Sequence, residues 1–236
     1  MIVIQSYRSE EVPEWITRSM GSVRRWAEEC GALYRSYGDA ELLAGISDSF
    51  KGKLSGRWPM LADLGRLKLA QSLLADGHER VVWLDADVLV VEPSRMSLPA
   101  KLDGGFAFGR EVWVEEGGKV HRGVHNAVCV FEPGNPFLNY YAHACERIIA
   151  QHAGEKLAPQ LLGPKFLKMQ HSLLGFPLID SVAMLSPDLV RERLSGGSRL
   201  WRVLEREAGE FGAVNLCHSL LGNGEALEIV EVLQGK

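Results

Sequence analysis

Apolar and polar positions alternate along the first ninety residues in a way that predicts an α/β fold. Residues 1–7 form an apolar strand with a polar carboxyl end, and a helix over 13–30 follows it. Residues 32–37 predict a second strand, 39–58 a short helix and a loop, and 59–77 a second long helix. Prolines open both long helices and glycines end them. This alternation of strand and helix predicts a parallel sheet with crossover helices.

The stretch VVWLDADVLVVEP, residues 81–93, predicts a strand buried on both faces and interrupted by two aspartates. Side chains two apart in an extended chain point the same way, so Asp85 and Asp87 are expected to project together. Two unpaired carboxylates are costly to desolvate there, and a Mg²⁺ or Mn²⁺ ion shared with substrate phosphates removes that cost. The pattern predicts a metal–diphosphate site. The alternative is a structural pair that caps a helix or bridges to arginines.

Beyond residue 95 the predicted elements are shorter. They are strands over 104–109 and 127–131, joined by a hairpin at 117–118, and helices over 136–151, from 163 to 175 and from 186. The length of 236 residues suits one domain. We expect residues 1–95 to form its nucleotide-binding half and residues 96–236 its acceptor and donor-sugar half.

Composition and charge restrict the class of protein. A hydrophobic content of 46% and a charged content of 24% are ordinary for a globular protein. The net charge of −4, without a lysine–arginine block, argues against a nucleic-acid binder. The four cysteines are far apart, which indicates reduced thiols, and we find no signal peptide and no run of transmembrane length. We expect a cytoplasmic protein, with peripheral contact to a membrane as a further option.

Four other places in the chain carry candidate chemistry, each with a structural alternative. Asp63 and Arg66 are neighbours on the helix over 59–77, either as an ion pair or facing a nucleotide pocket. Asn126 could point its amide into a pocket or form a turn. Gly163-Pro164 starts a helix that either binds an anion at its amino end or is an ordinary helix start. His218 is either a metal ligand or a satisfied structural histidine.

Taken in order, these segments resemble those of a known family. The chain is similar to nucleotide-sugar glycosyltransferases of the GT-A type, and more narrowly to glycosyltransferase family 32, with its DXD-containing sugar-binding region. The segments that carry the resemblance are IVIQSYRSEEVPEWITRSMGSV, PMLADLGRLKLAQSLL, VVWLDADVLVVEP, GVHNAVCVFEPGNPF, LLGPKF and VNLCHS. It implies a GT-A-like fold: a Rossmann-like, mostly parallel sheet with flanking helices and a small C-terminal acceptor-side region.

The resemblance also implies roles for individual residues. Asp85 would contact the sugar or ribose and the metal, Asp87 the metal, and His218 would complete the metal shell. The base and ribose pocket would be lined by Gln5, Ser6 and Tyr7. The remaining contacts to the donor would come from Asp63, Arg66, Trp83, Asn126, Gly163 and Pro164.

The implied reaction transfers a hexosyl group from a nucleotide-diphosphate sugar to a saccharide or lipid-linked acceptor, in polysaccharide biosynthesis. Mn²⁺ or Mg²⁺ would neutralise the leaving diphosphate. Arg66 or a helix amino end would add positive charge, so Asp85, Asp87 and Arg66 form the implied catalytic set. The resemblance implies retention of the anomeric configuration, and the residues offer no obvious inverting base.

Two alternatives belong to other classes of protein. A haloacid-dehalogenase-type phosphatase also carries D-x-D after an apolar strand, but its motif stands near the chain start and continues with glycine and threonine or valine. Here the motif continues with Val88-Leu89. A non-catalytic nucleotide-sugar or glycan binder on the same fold differs from the enzyme only in turnover.

Overall fold

The computed structural model describes residues 1–151, 158 and 160–235. Over these residues the strands are β1 (Ile2–Ser6), β2 (Leu33–Tyr37), β3 (Val81–Leu84), β4 (Val88–Val90), β5 (Phe106–Val114), β6 (Val120–Phe131), β7 (Leu178–Ile179), β8 (Val182–Met184) and β9 (Ala213–Asn215). The helices are α1 (Glu14–Glu29), α2 (Asp39–Leu42), α3 (Asp48–Lys53), α4 (Trp58–Ala75), α5 (Pro136–Gln151), α6 (Pro164–Leu174), α7 (Pro187–Leu194), α8 (Arg199–Ala208) and α9 (Asn223–Leu233).

The central sheet has the strand order β2-β1-β3-β6-β5-β7. Strands β2, β1 and β3 run parallel, β6 is antiparallel to both β3 and β5, and β7 is parallel to β5. The helical connections α1 and α4 allow the first three strands to run parallel, since parallel neighbours need a long crossover. The predicted α/β class, with a mostly parallel central sheet and flanking helices, is confirmed.

A second, three-stranded sheet has the order β4-β9-β8. Its first strand, β4, follows β3 directly in sequence, and residues 85–87 form the turn between them. A hydrogen bond of 3.0 Å from Val88 N to Asp85 O closes this turn. The prediction that Asp85 and Asp87 lie in an extended part of the chain is therefore wrong. Strand β4 pairs instead with β9, whose residues 213–215 lie far along the chain.

The hairpin of β5 and β6 is longer than predicted, with nine and twelve residues in its strands. The predicted ranges 104–109 and 127–131 stopped where polar residues begin, yet the ladder continues to the pair Val114 and Val120. Asn126 was expected before the second strand and lies within β6, so the turn-forming alternative is wrong.

Apolar side chains pack on both sides of the central sheet and around the second one. One cluster joins the central sheet to α4, α5 and α6, and another joins α1 to the second sheet and α7, α8 and α9. The second sheet takes β4 from residues 1–95 and β8 and β9 from residues 96–236, and the two-part division stays a prediction. None of the helices in the described part of the chain has the length and apolar character needed to cross a membrane.

Candidate active site

A cleft of about 830 Å³ opens at the turn between the two sheets. Most of the predicted site residues line it: Ser6, Tyr7, Arg66, Trp83, Asp85, Asp87, Asn126, Pro164 and His218. The other three predicted residues, Gln5, Asp63 and Gly163, are not among its lining residues. The structure thus brings residues from both ends of the chain to one cleft.

The backbone of the aspartate turn is fixed by neighbouring strands. Asp85 N donates to Ala127 O at 2.8 Å, and Asp85 O accepts from Gln5 Nε2 at 3.0 Å. Gln5 is fully buried, and its Oε1 accepts from the hydroxyl of Tyr34 at 2.9 Å. Gln5 therefore supports the turn from behind, whereas the resemblance implied a contact with the base or ribose.

The Asp85 carboxylate is anchored through one of its oxygens. Asp85 Oδ1 accepts from Trp83 Nε1 at 2.7 Å and lies 3.0 Å from Arg66 Nη1. The Arg66 guanidinium lies 4.9 Å from the centre of the Trp83 ring. Within the described residues, Asp85 Oδ2 accepts no hydrogen bond. One oxygen thus holds the carboxylate in place while the second is free for a ligand.

Arg66 is buried, and each guanidinium nitrogen has a protein partner. Nη1 also donates to Asn126 O at 2.6 Å, Nε donates to Ala62 O at 3.4 Å, and Nη2 lies 3.3 Å from Asp63 Oδ1. The arginine connects α4 with β6 and with the aspartate turn. Both alternatives for the Asp63–Arg66 pair are thus partly realised, because Arg66 is ion-paired within its helix and also lines the cleft.

Asp63, Asn126 and Gly163 form a close polar contact beneath the cleft. Asn126 Nδ2 donates to Asp63 Oδ1 at 2.7 Å, and burial raises the pKa of Asp63 to about 6, opposed by Arg66 and Asn126. A Cβ at Gly163 would lie 2.9 Å from both Asn126 Nδ2 and Asp63 Oδ2, so this position requires glycine. Pro164 begins α6 as predicted and lines the cleft.

Asp87 is held from the second sheet by neutral donors. Its Oδ1 accepts from Asn215 Nδ2 at 2.8 Å, and its Oδ2 accepts from the backbone N–H of His218 at 2.7 Å. Burial raises the pKa of Asp87 to about 6, and the negative charge of Asp85 acts in the same direction. The carboxylate has no cationic side chain within salt-bridge distance among the described residues.

The ring of His218 contacts aromatic residues at the same end of the cleft. Its Nε2 lies 3.4 Å from the hydroxyl of Tyr7, and its centroid lies 5.4 Å from that of Trp15. Burial lowers its pKa, as does the charge of Arg8, so the neutral ring predominates at pH 7. A neutral imidazole can act as a metal ligand.

The aspartate pair suits a hard divalent cation. Oxygen ligands are the kind that Mg²⁺ and Mn²⁺ prefer, and a cation would relieve the charge that raises the pKa of Asp87. In the part of the chain that the structure describes, no group of three or more His, Cys, Asp or Glu side chains could hold a metal ion. The residues fit an ion whose coordination is completed by substrate phosphates and water.

The sequence prediction missed the cleft-facing side of the β5–β6 hairpin. Glu111, Trp113 and His121 line the cleft there, and burial raises the pKa of Glu111, opposed by Lys168 of α6. Gly123 lies opposite Glu111 in the ladder, and a Cβ there would overlap its carboxylate. The signal was the alternation in REVWV, where Glu111 and Trp113 occupy one face and Val112 and Val114 the buried one.

No protein-family model matches the chain, and no curated protein sequence matches it either. Solved structures do match. The structure of a glycosyltransferase involved in the glycosylation of the major capsid of PBCV-1 aligns with a TM-score of 0.53 and 11% identity, over 98% of each chain. The chain shares the fold of this glycosyltransferase. The narrower resemblance to family 32 stays a prediction.

Two other glycosyltransferases align less closely. Mouse xyloside xylosyltransferase 1 in its apo form gives a TM-score of 0.46 and 12% identity, over 93% of this chain and 98% of the other. The PaToxG glycosyltransferase gives 0.43 and 12%, over 99% of this chain and 86% of the other. Because both TM-scores lie below 0.5, the fold is assigned from the first match alone.

Proposed function

We propose that this protein is a glycosyltransferase that transfers a sugar from a nucleotide-diphosphate sugar to a hydroxyl of a saccharide or lipid-linked acceptor. The observation that carries the proposal is the aspartate turn between β3 and β4, which lines a cleft of about 830 Å³ with Asp85 anchored and Asp87 without a cationic partner. The carboxyl end of a parallel strand is where α/β sheets bind ligands. The glycosyltransferase fold supports the same reaction class.

In the proposed complex, Asp85 and Asp87 would hold Mn²⁺ or Mg²⁺ together with the diphosphate and water. His218 would join them as a third ligand only after its ring turns towards the aspartates, because the described residues contain no three-ligand group. When bound, the ion supplies Lewis-acid stabilisation to the leaving diphosphate. Trp83 and Arg66 keep the Asp85 carboxylate in position before substrate arrives, which lowers the entropic cost of binding.

The rest of the cleft divides into a donor side and an acceptor side in this proposal. Ser6, Tyr7 and Asn126 face the donor. The hydroxyl of Ser6 is buried and has no hydrogen-bond partner among the described residues, which favours a ligand contact. Glu111 and Trp113 face the acceptor, since an indole ring and a carboxylate suit the apolar face and the hydroxyls of a sugar. Retention stays a prediction, and NMR of the product anomer tests it against Glu111 acting as an inverting base.

The two alternatives differ in their support. A haloacid-dehalogenase-type phosphatase draws no support from the matching fold. A non-catalytic nucleotide-sugar or glycan binder would use the same aspartate turn and cleft. Turnover of a nucleotide sugar, with water or a saccharide as acceptor, separates this binder from the enzyme.

Calorimetry with UDP and GDP tests the proposal, in Mn²⁺ and in EDTA. We expect one of the two to bind much more tightly with Mn²⁺, and to raise the free energy of unfolding by about 2.7 kcal/mol at 100 times its dissociation constant. The matching nucleoside without phosphates is the control, and Mn²⁺ should not change its affinity. Equal affinity of the diphosphates in both conditions would contradict the metal-dependent site.

A further inference from the structure

Two non-glycine residues of the described chain have a left-handed backbone, Glu11 with φ of 49° and Cys217 with φ of 52°. This conformation is unfavourable for residues with a Cβ and is found preferentially at functional sites. The two are 206 positions apart in sequence, yet Cys217 immediately precedes His218, and Glu11 follows Tyr7 by four residues. Tyr7 and His218 are in contact, so both strained residues are close in sequence to the same end of the cleft, which Cys217 lines and Glu11 does not.

Each strained residue helps to orient a charged group. The carbonyl of Glu11 accepts a hydrogen bond from Arg8 Nη2 at 3.2 Å, and the Arg8 guanidinium lies 5.6 Å from the centre of the Tyr7 ring. On the other side, Cys217 is followed by the backbone N–H that donates to Asp87 Oδ2. The strain therefore fixes a guanidinium and a carboxylate beside the same Tyr7–His218 pair.

Among the described residues, no carboxylate forms an ion pair with Arg8. Of the other arginines that line the cleft, Arg66 is paired with Asp63 and Asp85, and Arg122 is paired with Glu207. Within the described residues, Arg8 has no acidic side chain within salt-bridge distance, although it lines a cleft with several carboxylates. Its side chain is exposed to the cleft and held in advance by the Tyr7 ring and the Glu11 carbonyl.

We propose that Arg8 binds the diphosphate of the nucleotide-sugar donor, an inference that rests on the proposed function. A guanidinium presents a planar fork of N–H donors that matches phosphate oxygens, and it keeps its charge at every physiological pH. Arg8 and Asp87 line the same cleft, and Tyr7, the neighbour of Arg8, contacts His218, whose backbone N–H donates to Asp87. A diphosphate bound by Arg8 would therefore lie at the end of the cleft where the aspartate turn suits a cation. Arg8 thus supplies the positive charge that Arg66, with all its nitrogens engaged inside the protein, does not offer.

Isothermal titration calorimetry with UDP, GDP and inorganic pyrophosphate, in Mn²⁺, tests the inference on the full chain. Arg8→Ala should weaken the affinity for the preferred nucleoside diphosphate by about tenfold and for pyrophosphate by a similar factor, as expected for an exposed charge-assisted contact. Arg8→Lys keeps the charge but loses the fork, and should fall between. Arg25→Ala is the matched control, since Arg25 is an exposed arginine of α1 that does not line the cleft.

The nucleoside without phosphates separates the possible outcomes. Arg8→Ala should leave its affinity unchanged, and an equal loss for nucleoside and diphosphate would overturn the phosphate contact. Wild-type affinity of Arg8→Ala for the diphosphate would overturn the inference while leaving the proposed function intact. If the wild-type protein binds neither UDP nor GDP in Mn²⁺, the proposed function fails and the role of Arg8 fails with it.

Discussion

Asp85 and Asp87 are two residues apart, and their surroundings are opposite. Asp85 is held by a guanidinium and an indole N–H, both on one oxygen, and its side chain is 26% exposed. Asp87 is buried, with a neutral amide on one oxygen and a backbone N–H on the other. Arg66 therefore compensates the charge of Asp85, whereas no cationic side chain among the described residues compensates that of Asp87. The sequence allowed two interpretations of the motif: Asp85 fits the arginine-bridged one, and Asp87 fits the cation site.

The difference comes from which sheet supplies the partners. Asp85 directly follows β3 of the central sheet and forms an ion pair with Arg66 of α4. Asp87 directly precedes β4 and accepts a hydrogen bond from Asn215 at the end of β9. A cation held at the turn would be attracted mainly by Asp87, because Arg66 opposes its approach to Asp85. We therefore expect the two aspartates to respond differently to mutation.

Among the variants that test this difference between Asp85 and Asp87, Arg66→Ala should have the largest effect, a loss of stability. It leaves Asp63 and Asp85 without their shared counter-ion, and removing one partner of a buried ion pair costs about 3–5 kcal/mol. Urea unfolding followed by tryptophan fluorescence measures the loss. Lys68→Ala is the matched control on the same helix, since it breaks only the partly exposed pair with Glu146, at a cost of about 0–1 kcal/mol. Equal stability of Arg66→Ala and wild type would remove the structural role of Arg66.

Asp87→Asn should abolish most of the metal dependence. It removes the uncompensated charge, and we expect a loss of at least about 100-fold in Mn²⁺-dependent nucleotide affinity, the upper end of what metal-site partners contribute. One hydrogen bond is lost, but burial of a charge is relieved, so the melting temperature should change little. Asp85→Asn keeps Oδ1 as the acceptor for Trp83 Nε1 but loses the ion pair with Arg66. Because Arg66 already compensates the charge of Asp85, its loss of affinity should be about tenfold smaller than that of Asp87→Asn. Calorimetry that ranks the two variants the other way would contradict the division of roles.

The sequence predicted the elements whose residues repeat with a clear period. The order β1, α1, β2, α4, β3 follows from apolar runs and from the prolines and glycines that bound them. The first half of the fold could therefore be predicted from the sequence. The break at residues 85–87 could not, because it depends on β9 as the partner of β4. Glu111 was missed because a polar residue inside an apolar strand was taken as the end of that strand.

The candidate site was also predictable only in part from the sequence. Resemblance and strand position indicated Asp85, Asp87 and the neighbourhood of His218, which do line one cleft. The engagement of Arg66 by Asp63, Asp85 and a backbone carbonyl could not be predicted from the sequence, because helical spacing constrains only the partner on the same helix.

The contribution of Asp63 to stability should change with pH by a smaller amount than in the preceding variants. Its sign should be opposite to that of ordinary acid denaturation. Its pKa is about 6 in the folded protein against an ordinary value of 3.8, so its contribution favours folding at low pH and is lost as the pH rises through 6. Asp63→Asn keeps the acceptor for Asn126 but cannot ionise. Its stability relative to wild type should therefore rise by about 2 kcal/mol between pH 4 and pH 7. Urea titrations at both pH values measure this difference, and a constant difference would show that Asp63 is not desolvated.

His218→Ala should have the smallest effect, because the group that holds Asp87 is the backbone N–H of His218, which the variant retains. Only the ring is lost, and a metal contact of that ring predicts an affinity for Mn²⁺ about tenfold weaker in the presence of the nucleotide. His121→Ala is the control, a histidine of the same cleft that is paired with Glu115 and belongs to the hairpin. Nucleotide binding in EDTA should be unchanged in both variants. If His218→Ala binds Mn²⁺ with wild-type affinity, the ring is a structural partner of Tyr7 and Trp15, and the ion is held by the aspartates, the diphosphate and water.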